Sequence, residues 1–213
     1  MTEPGRAYLP AAGRDIFLPL YDPIVKLFGG DAARQALLEQ AAIRPTDRVF
    51  DLGCGTGTFD VLIKQRFPQV ELVCIDPDPK ALARARKKAL RAAVAIQFDH
   101  GFGDQLPYPD ASFDRAISSF VFHHVPAEER EKTLREVRRV LKPGGEFHLA
   151  DFEGPEDYKQ GFVSRLLHSH AHLKENSAAK IIGVMKAAGF SNVAKVGRRN
   201  KLFGSVAYYK AMK

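Results

Sequence analysis

Nine residues leave this chain fewer choices of fold than any other stretch. Residues 49–57 read V-F-D-L-G-C-G-T-G, an apolar run broken off at glycines on alternate positions, Gly53, Gly55 and Gly57. A short apolar run that stops at glycines is a buried strand entering a tight turn. Glycine adopts backbone angles that other residues avoid, and it lets a ligand approach the main chain closely. Over residues 58–67 the apolar Phe59, Leu62 and Ile63 recur at helical spacing. Strand, glycine turn and helix make the first half of a βαβ crossover of the nucleotide-binding kind. That predicts an α/β fold with a mostly parallel sheet.

The dinucleotide fingerprint G-x-G-x-x-G needs a third glycine where Thr58 stands. The spacing found instead, G-x-G-x-G with Asp51 two residues ahead, resembles motif I of the class I S-adenosylmethionine-dependent methyltransferases. The nearest group in that family is the ubiquinone/menaquinone-biosynthesis-like one (methyltransferase type 11), and the resemblance covers residues 45–210. It implies a Rossmann-like, seven-stranded, mostly parallel sheet with helices on both faces and an antiparallel C-terminal hairpin. It also implies S-adenosyl-L-methionine as cofactor and S-adenosyl-L-homocysteine as product. Residues 45–213 form the cofactor-binding domain in this reading. Residues 1–44 are an N-terminal helical cap of the same domain.

By the same resemblance, Asp51, Gly53, Cys54, Gly55 and Gly57 form the turn under the cofactor. A second apolar strand, residues 70–75, ends at Asp76. An acid there, about 20 residues past the turn, accepts hydrogen bonds from both ribose hydroxyls; Pro77 lies beside it. The plainer role for Asp76 is a helix cap, but Asp78 followed by Pro79 already supplies one. A third strand over residues 94–98 leads into D-H-G-F-G-D-Q-L-P-Y-P-D, similar to the family's G-D-A-x-x-L-P-F-P-D loop. Gly101 matches the glycine. Phe102 stands where the family has an Asp that contacts the adenine amine, and Asp104 or Asp99 is the replacement acceptor.

A fourth strand starts at Ser112-Phe113-Asp114 and runs into S-S-F-V-F-H-H-V, again a family pattern. The resemblance places the Phe120 carbonyl near the methionine ammonium. His124 is the candidate general base, because imidazole titrates near neutrality; its plainer role is a hydrogen-bonded neighbour of the next helix. The N-terminal segment of such proteins shapes the acceptor pocket, which implicates Phe17 and Tyr21; the alternative is that they fill the core. Further on, residues 128–141 have helical spacing, L-K-P-G-G stops that helix, and residues 146–151 begin a fifth strand. The stretch after it carries His168, His170 and His172. Alternate histidines diverge on a helix, so one of them, His170, faces the pocket and no metal site is expected. Asn176 or Ser177 caps a last helix ended by Gly189, and residues 193–196 and 203–209 pair as the closing hairpin.

The formal net charge is +7. Its densest run, residues 84–91, falls on a helix whose inner side is Leu82, Ala85, Ala89 and Leu90. A solvated helix face accounts for the charge, and nucleic acid is not the expected partner. Cys54 and Cys74 read as small buried residues rather than a disulfide or metal pair, as suits a reducing cytoplasm. No window approaches the ~20 apolar residues of a transmembrane segment, and the N-terminus lacks a signal pattern. Nothing in the sequence points to an oligomeric state. The motifs of amino-methylating nucleic-acid enzymes, cytosine-carbon enzymes and metal-dependent catechol enzymes are missing. A small hydrophobic or aromatic acceptor, methylated on O, N or C, is the expectation. The alternatives are methylation of RNA or protein, and a non-catalytic cofactor-binding or partner-activating subunit.

Overall fold

The chain goes out from β1 (Arg48–Leu52) to β2 (Glu71–Asp76) and β3 (Gln97–His100), then returns to β4 (Phe113–Ser119) on the other side of β1. This reversal fixes where a ligand can go. In an open α/β sheet the crevice lies beyond the carboxyl ends of the two strands that flank the switch, here β1 and β4. The structure is a computed structural model that describes residues 30–154, 176–201 and 204–213. Phe17, Tyr21, His168, His170 and His172 lie outside the described residues. The sheet continues through β5 (Leu141–Phe152), with β7 (Gly204–Met212) and β6 (Ser191–Lys201) completing it in the order β3-β2-β1-β4-β5-β7-β6. The first five strands are parallel; β7 is antiparallel to both β5 and β6.

Alternation along the strands builds two cores. Val49, Leu72, Cys74 and Ile117 pack with α1 (Gly30–Ala41), α2 (Thr58–Arg66) and α3 (Pro79–Arg91). Phe50, Leu52, Val73 and Ala116 pack with α4 (Ala127–Val140) and α5 (Ala178–Ala187) on the opposite face. The helices thus cover both faces, and Leu37 of α1 and Leu134 of α4 are fully buried. Cutting either to Ala costs about 2–5 kcal/mol.

Local chemistry explains most boundaries. The Asp78 carboxylate accepts the N–H groups of Lys80 and Ala81, with Pro79 at the first helical position, so α3 starts where its cap dictates. Other boundaries differ from the sequence reading. Leu90 is 80% exposed, not inward: Leu82, Ala85 and Ala89 form the buried stripe, and Leu90 lies ~100° further round the helix. The third strand begins at Gln97 rather than Val94, because Ala93 takes a left-handed turn (φ 53) and the Val94 N–H closes back on Ala89. L-K-P-G-G lies within β5. Its pairing with β4 shifts between Phe113↔Leu141 and Arg115↔Glu146, so these residues form a bulge with Gly144 at φ 74. Among the described residues helix α1 covers Gly30–Ala41, with Asp31 in its first turn. The hairpin strands are both longer than the alternating residues suggested.

Candidate functional site

The apolar residues of β1 bury the strand and deliver its end to the crevice. There Gly53 takes φ 79 and its N–H bonds to the Ile75 carbonyl of β2 at 2.9 Å. A Cβ on Gly53 would lie 2.3 Å from Val121 Cγ1, so only glycine lets β1 and the β4 turn approach this closely. Gly55, at φ 54, meets nothing within 4 Å where its Cβ would be. That space belongs to a cavity of about 380 Å³. Gly53, Cys54, Gly55, Asp76, Pro77, Gly101, Phe102, Phe120 and His124 all line it. Gly57 instead packs against Ala85 of α3, and Asp51 is buried beneath the turn.

Asp76 is 8% exposed. Its Oδ2 accepts the Gly55 N–H at 2.8 Å and its Oδ1 the Asp78 N–H at 2.9 Å, which ties the glycine turn to the end of β2. Burial pushes its carboxyl up, the two N–H groups pull it down, and the carboxyls of Asp78 and Asp60 push it up again. The outcome is about 6. Lys88 of α3 holds the turn from the other side, donating to Thr56 Oγ1 at 2.8 Å and to Thr58 Oγ1 at 2.6 Å.

Beneath the turn lies a closed group of acids and thiols. Asp51 hydrogen-bonds to Asp60, and burial pushes both carboxyls up. Cys74 Sγ donates to Asp60 Oδ1 at 2.9 Å. The sulfurs of Cys54 and Cys74 and a carboxylate oxygen of Asp60 lie within 4.8 Å of one another. Hydrogen bonding to Cys74 pulls the Cys54 thiol down, but burial and the nearby carboxyls override it and push it to about 12. Burial pushes Cys74 up as well. The cysteines are buried, as small apolar residues would be, yet they also belong to this hydrogen-bonded group.

At the far end Phe102 lines the cavity between Gly101 and Gly103. Of the two acids that could replace the missing one, Asp99 accepts from the Tyr108 hydroxyl at 2.8 Å and does not reach the cavity wall. Asp104 does; it is 5% exposed and its Oδ2 accepts from Lys132 at 2.9 Å.

Past β4, Phe120 has a left-handed backbone, φ 58. Such an angle costs a bulky residue on the order of 1–3 kcal/mol, and here the Phe120 N–H bond to Ala150 of β5 holds it. The next turn separates the two histidines. His123 is buried; its Nδ1 lies 2.6 Å from Asp151 Oδ1, and its main-chain N–H bonds to Asp151 Oδ2 at 2.8 Å. His124 lines the cavity, and its ring lies against that of His123, tilted by 40° with centroids 4.0 Å apart. Asp151 escaped the sequence reading, as did Arg34 of α1, which lines the cavity beside the glycine turn. An acid closing a buried apolar strand was a usable signal for Asp151.

Residues 49–145 match the methyltransferase domain family. Over 137 residues the chain is 39% identical to the demethylmenaquinone methyltransferase of Deinococcus radiodurans, covering 64% of this chain and 56% of that protein. Over 151 residues it is 34% identical to the Thermus thermophilus protein of the same name, covering 70% of this chain and 68% of that one. The chain therefore spans little more than half of the Deinococcus relative. Its fold is that of YcgJ from Bacillus subtilis, with a TM-score of 0.70 at 20% identity over 86% of this chain and 98% of that one.

Proposed function

This chain belongs to the class I S-adenosylmethionine-dependent methyltransferases, in the group similar to the ubiquinone/menaquinone-biosynthesis enzymes, and from that premise we propose that it methylates a ring carbon of a small, apolar, quinol-like acceptor. S-adenosylmethionine is the donor and S-adenosylhomocysteine the product. The acceptor class rests on the two relatives named for a demethylated menaquinone, an apolar aromatic ring. The observation that carries the reading is a single cavity that joins Gly55, Asp76, the 101–104 loop and His124.

The residues present fit the cofactor. Gly55 leaves its main chain open to a ligand, Asp76 offers carboxylate oxygens at the cavity wall, and Asp104 supplies an acceptor near Phe102, which stands in place of the family's Asp. When bound, S-adenosylmethionine supplies a methyl group on a sulfonium, so its departure needs no acid. The protein supplies alignment and exclusion of water. Phe120, Val121 and Val125 form the apolar part of the wall beside His124. A quinol carbon becomes nucleophilic when a ring hydroxyl loses its proton, and His124 takes that proton in this reading. His123, anchored through Nδ1 to Asp151, supports the His124 ring from below; it is a positioning residue.

Methyl-labelled S-adenosylmethionine offered with a reduced naphthoquinone, a catechol, a short RNA and a peptide tests this. Label is expected on the ring carbon of the naphthoquinol alone. Label on RNA or peptide, or no binding of S-adenosylhomocysteine by calorimetry, overturns the reading. His124→Ala is expected to lower kcat by roughly 10²–10⁴-fold with cofactor affinity unchanged. An unchanged kcat removes His124 from proton transfer.

A further inference from the structure

Four carboxyl-bearing residues line the cavity, Asp76, Asp78, Asp104 and Glu129, but Arg34 is the sole lysine or arginine among the described lining residues. Helix α1 buries Ala33, Leu37, Leu38 and Ala41, and this packing carries Arg34 inward until 7% of it is exposed. Its Nε has no hydrogen-bond partner among the described residues. Among the described residues the nearest carboxylate oxygen, Asp31 Oδ1, is 3.9 Å away on a half-exposed side chain. A buried guanidinium keeps its positive charge and demands an anion.

The anion is not supplied from below. Asp51 and Asp60 are the acids that feel the Arg34 charge, but burial pushes both toward the neutral form and they hydrogen-bond to each other. They do locate Arg34. Asp51 lies two residues before Gly53 and Asp60 lies in the first turn of α2. Arg34 therefore stands at the glycine-turn end of the cavity.

We propose that Arg34 holds the α-carboxylate of the amino-acid half of the S-adenosyl ligand, at the end of the cavity walled by Gly53, Cys54 and Gly55. The assignment rests on the cofactor reading above. A guanidinium presents paired N–H groups that match the two oxygens of a carboxylate. The ligand is then held at two ends by different chemistry, a charge pair at Arg34 and hydrogen bonds to the nucleoside at Asp76 and the 101–104 loop.

Two ligands that differ in that half alone decide the matter. S-adenosylhomocysteine has the amino acid; 5′-methylthioadenosine has the same nucleoside thioether without it. Arg34→Ala in the full chain is expected to weaken S-adenosylhomocysteine by about 10- to 100-fold and to leave methylthioadenosine within about twofold. Arg34→Lys should recover part of the loss and Arg34→Gln little. Retained methylthioadenosine binding also shows that the variant is folded. Equal weakening of both ligands overturns the proposal and makes Arg34 a support of the turn. Unchanged binding of S-adenosylhomocysteine overturns it while the cofactor reading stands. If the wild type binds neither ligand, the cofactor reading fails first and the proposal with it.

Discussion

Asp76 closes β2 and Asp151 lies one residue from the end of β5. Both are buried and both accept main-chain N–H groups, from Gly55 and Asp78 in one case and from His123 and Phe152 in the other. Their protons behave oppositely. Burial raises the Asp76 carboxyl and neighbouring acids add to it, against its two N–H bonds. Burial works on Asp151 too, but the His123 imidazole and the N–H groups outweigh it and hold that carboxyl below its usual range. Depth alone does not set the role of a buried acid; its neighbours do. Asp76 sits among other acids at a cavity wall, where further donors from a ligand would stabilise it. Asp151 already holds three donors from His123 and Phe152 and does not line the cavity, which makes it a fixture for His123.

The difference is sharpest in Asp151→Ala. It leaves up to three buried donors without a partner, at about 1–3 kcal/mol each, and the unfolding free energy from a urea titration is expected to fall by roughly 3 kcal/mol or more. Stability close to the wild type would erase the distinction between the two acids. Asp76→Ala is expected to act on the ligand instead, weakening S-adenosylhomocysteine by about 1.5–3 kcal/mol in calorimetry and lowering stability less than the Asp151 variant does. The smallest effect is the pH profile. As pH falls through about 6, Asp76 takes up a proton and loses an acceptor. Affinity should drop several-fold between roughly pH 7.5 and 5.5 in the wild type, and Asp76→Asn should be weaker but flat. Stability moves the other way. The folded protein keeps a proton that the unfolded chain has released, so this carboxyl's contribution is in place below 3.8 and is lost as pH rises through about 6.

What could be read from the sequence was mostly local. The β1 turn, the acid that ends β2 and the Asp78-Pro79 cap are short-range patterns, and the structure builds each of those elements where the pattern stands. What escaped depends on packing between distant segments. On α1, Arg34 reads as one more charge on a surface helix, and only the seating of α1 against β4 and β5 turns it into the cavity. His123 and His124 are indistinguishable in sequence; the single turn after β4 sends one to Asp151 and the other to the cavity. L-K-P-G-G reads as a helix stop and functions also as a bulge, because the register of β5 against β4 is not encoded in its own residues. Phe17, Tyr21 and His170, which the sequence reading assigns to the acceptor pocket, lie outside the described residues, so the proposed acceptor wall rests on Phe120, Val121, Val125 and His124.

The thiols packed on Asp60 amount to a built-in clock. A thiol reacts with alkylating reagents as its thiolate, and the Cys54 proton is held to about 12 with Cys74 buried behind it. Cys74, fully buried and absent from the cavity wall, is chemically hidden while the β1–β2 half of the sheet stays shut. The marking of Cys74 by reagent then tracks how often that half opens, region by region rather than for the whole molecule. A ligand lying across the glycine turn slows the marking of Cys74 by mass action, and so reports its own binding without touching that cysteine.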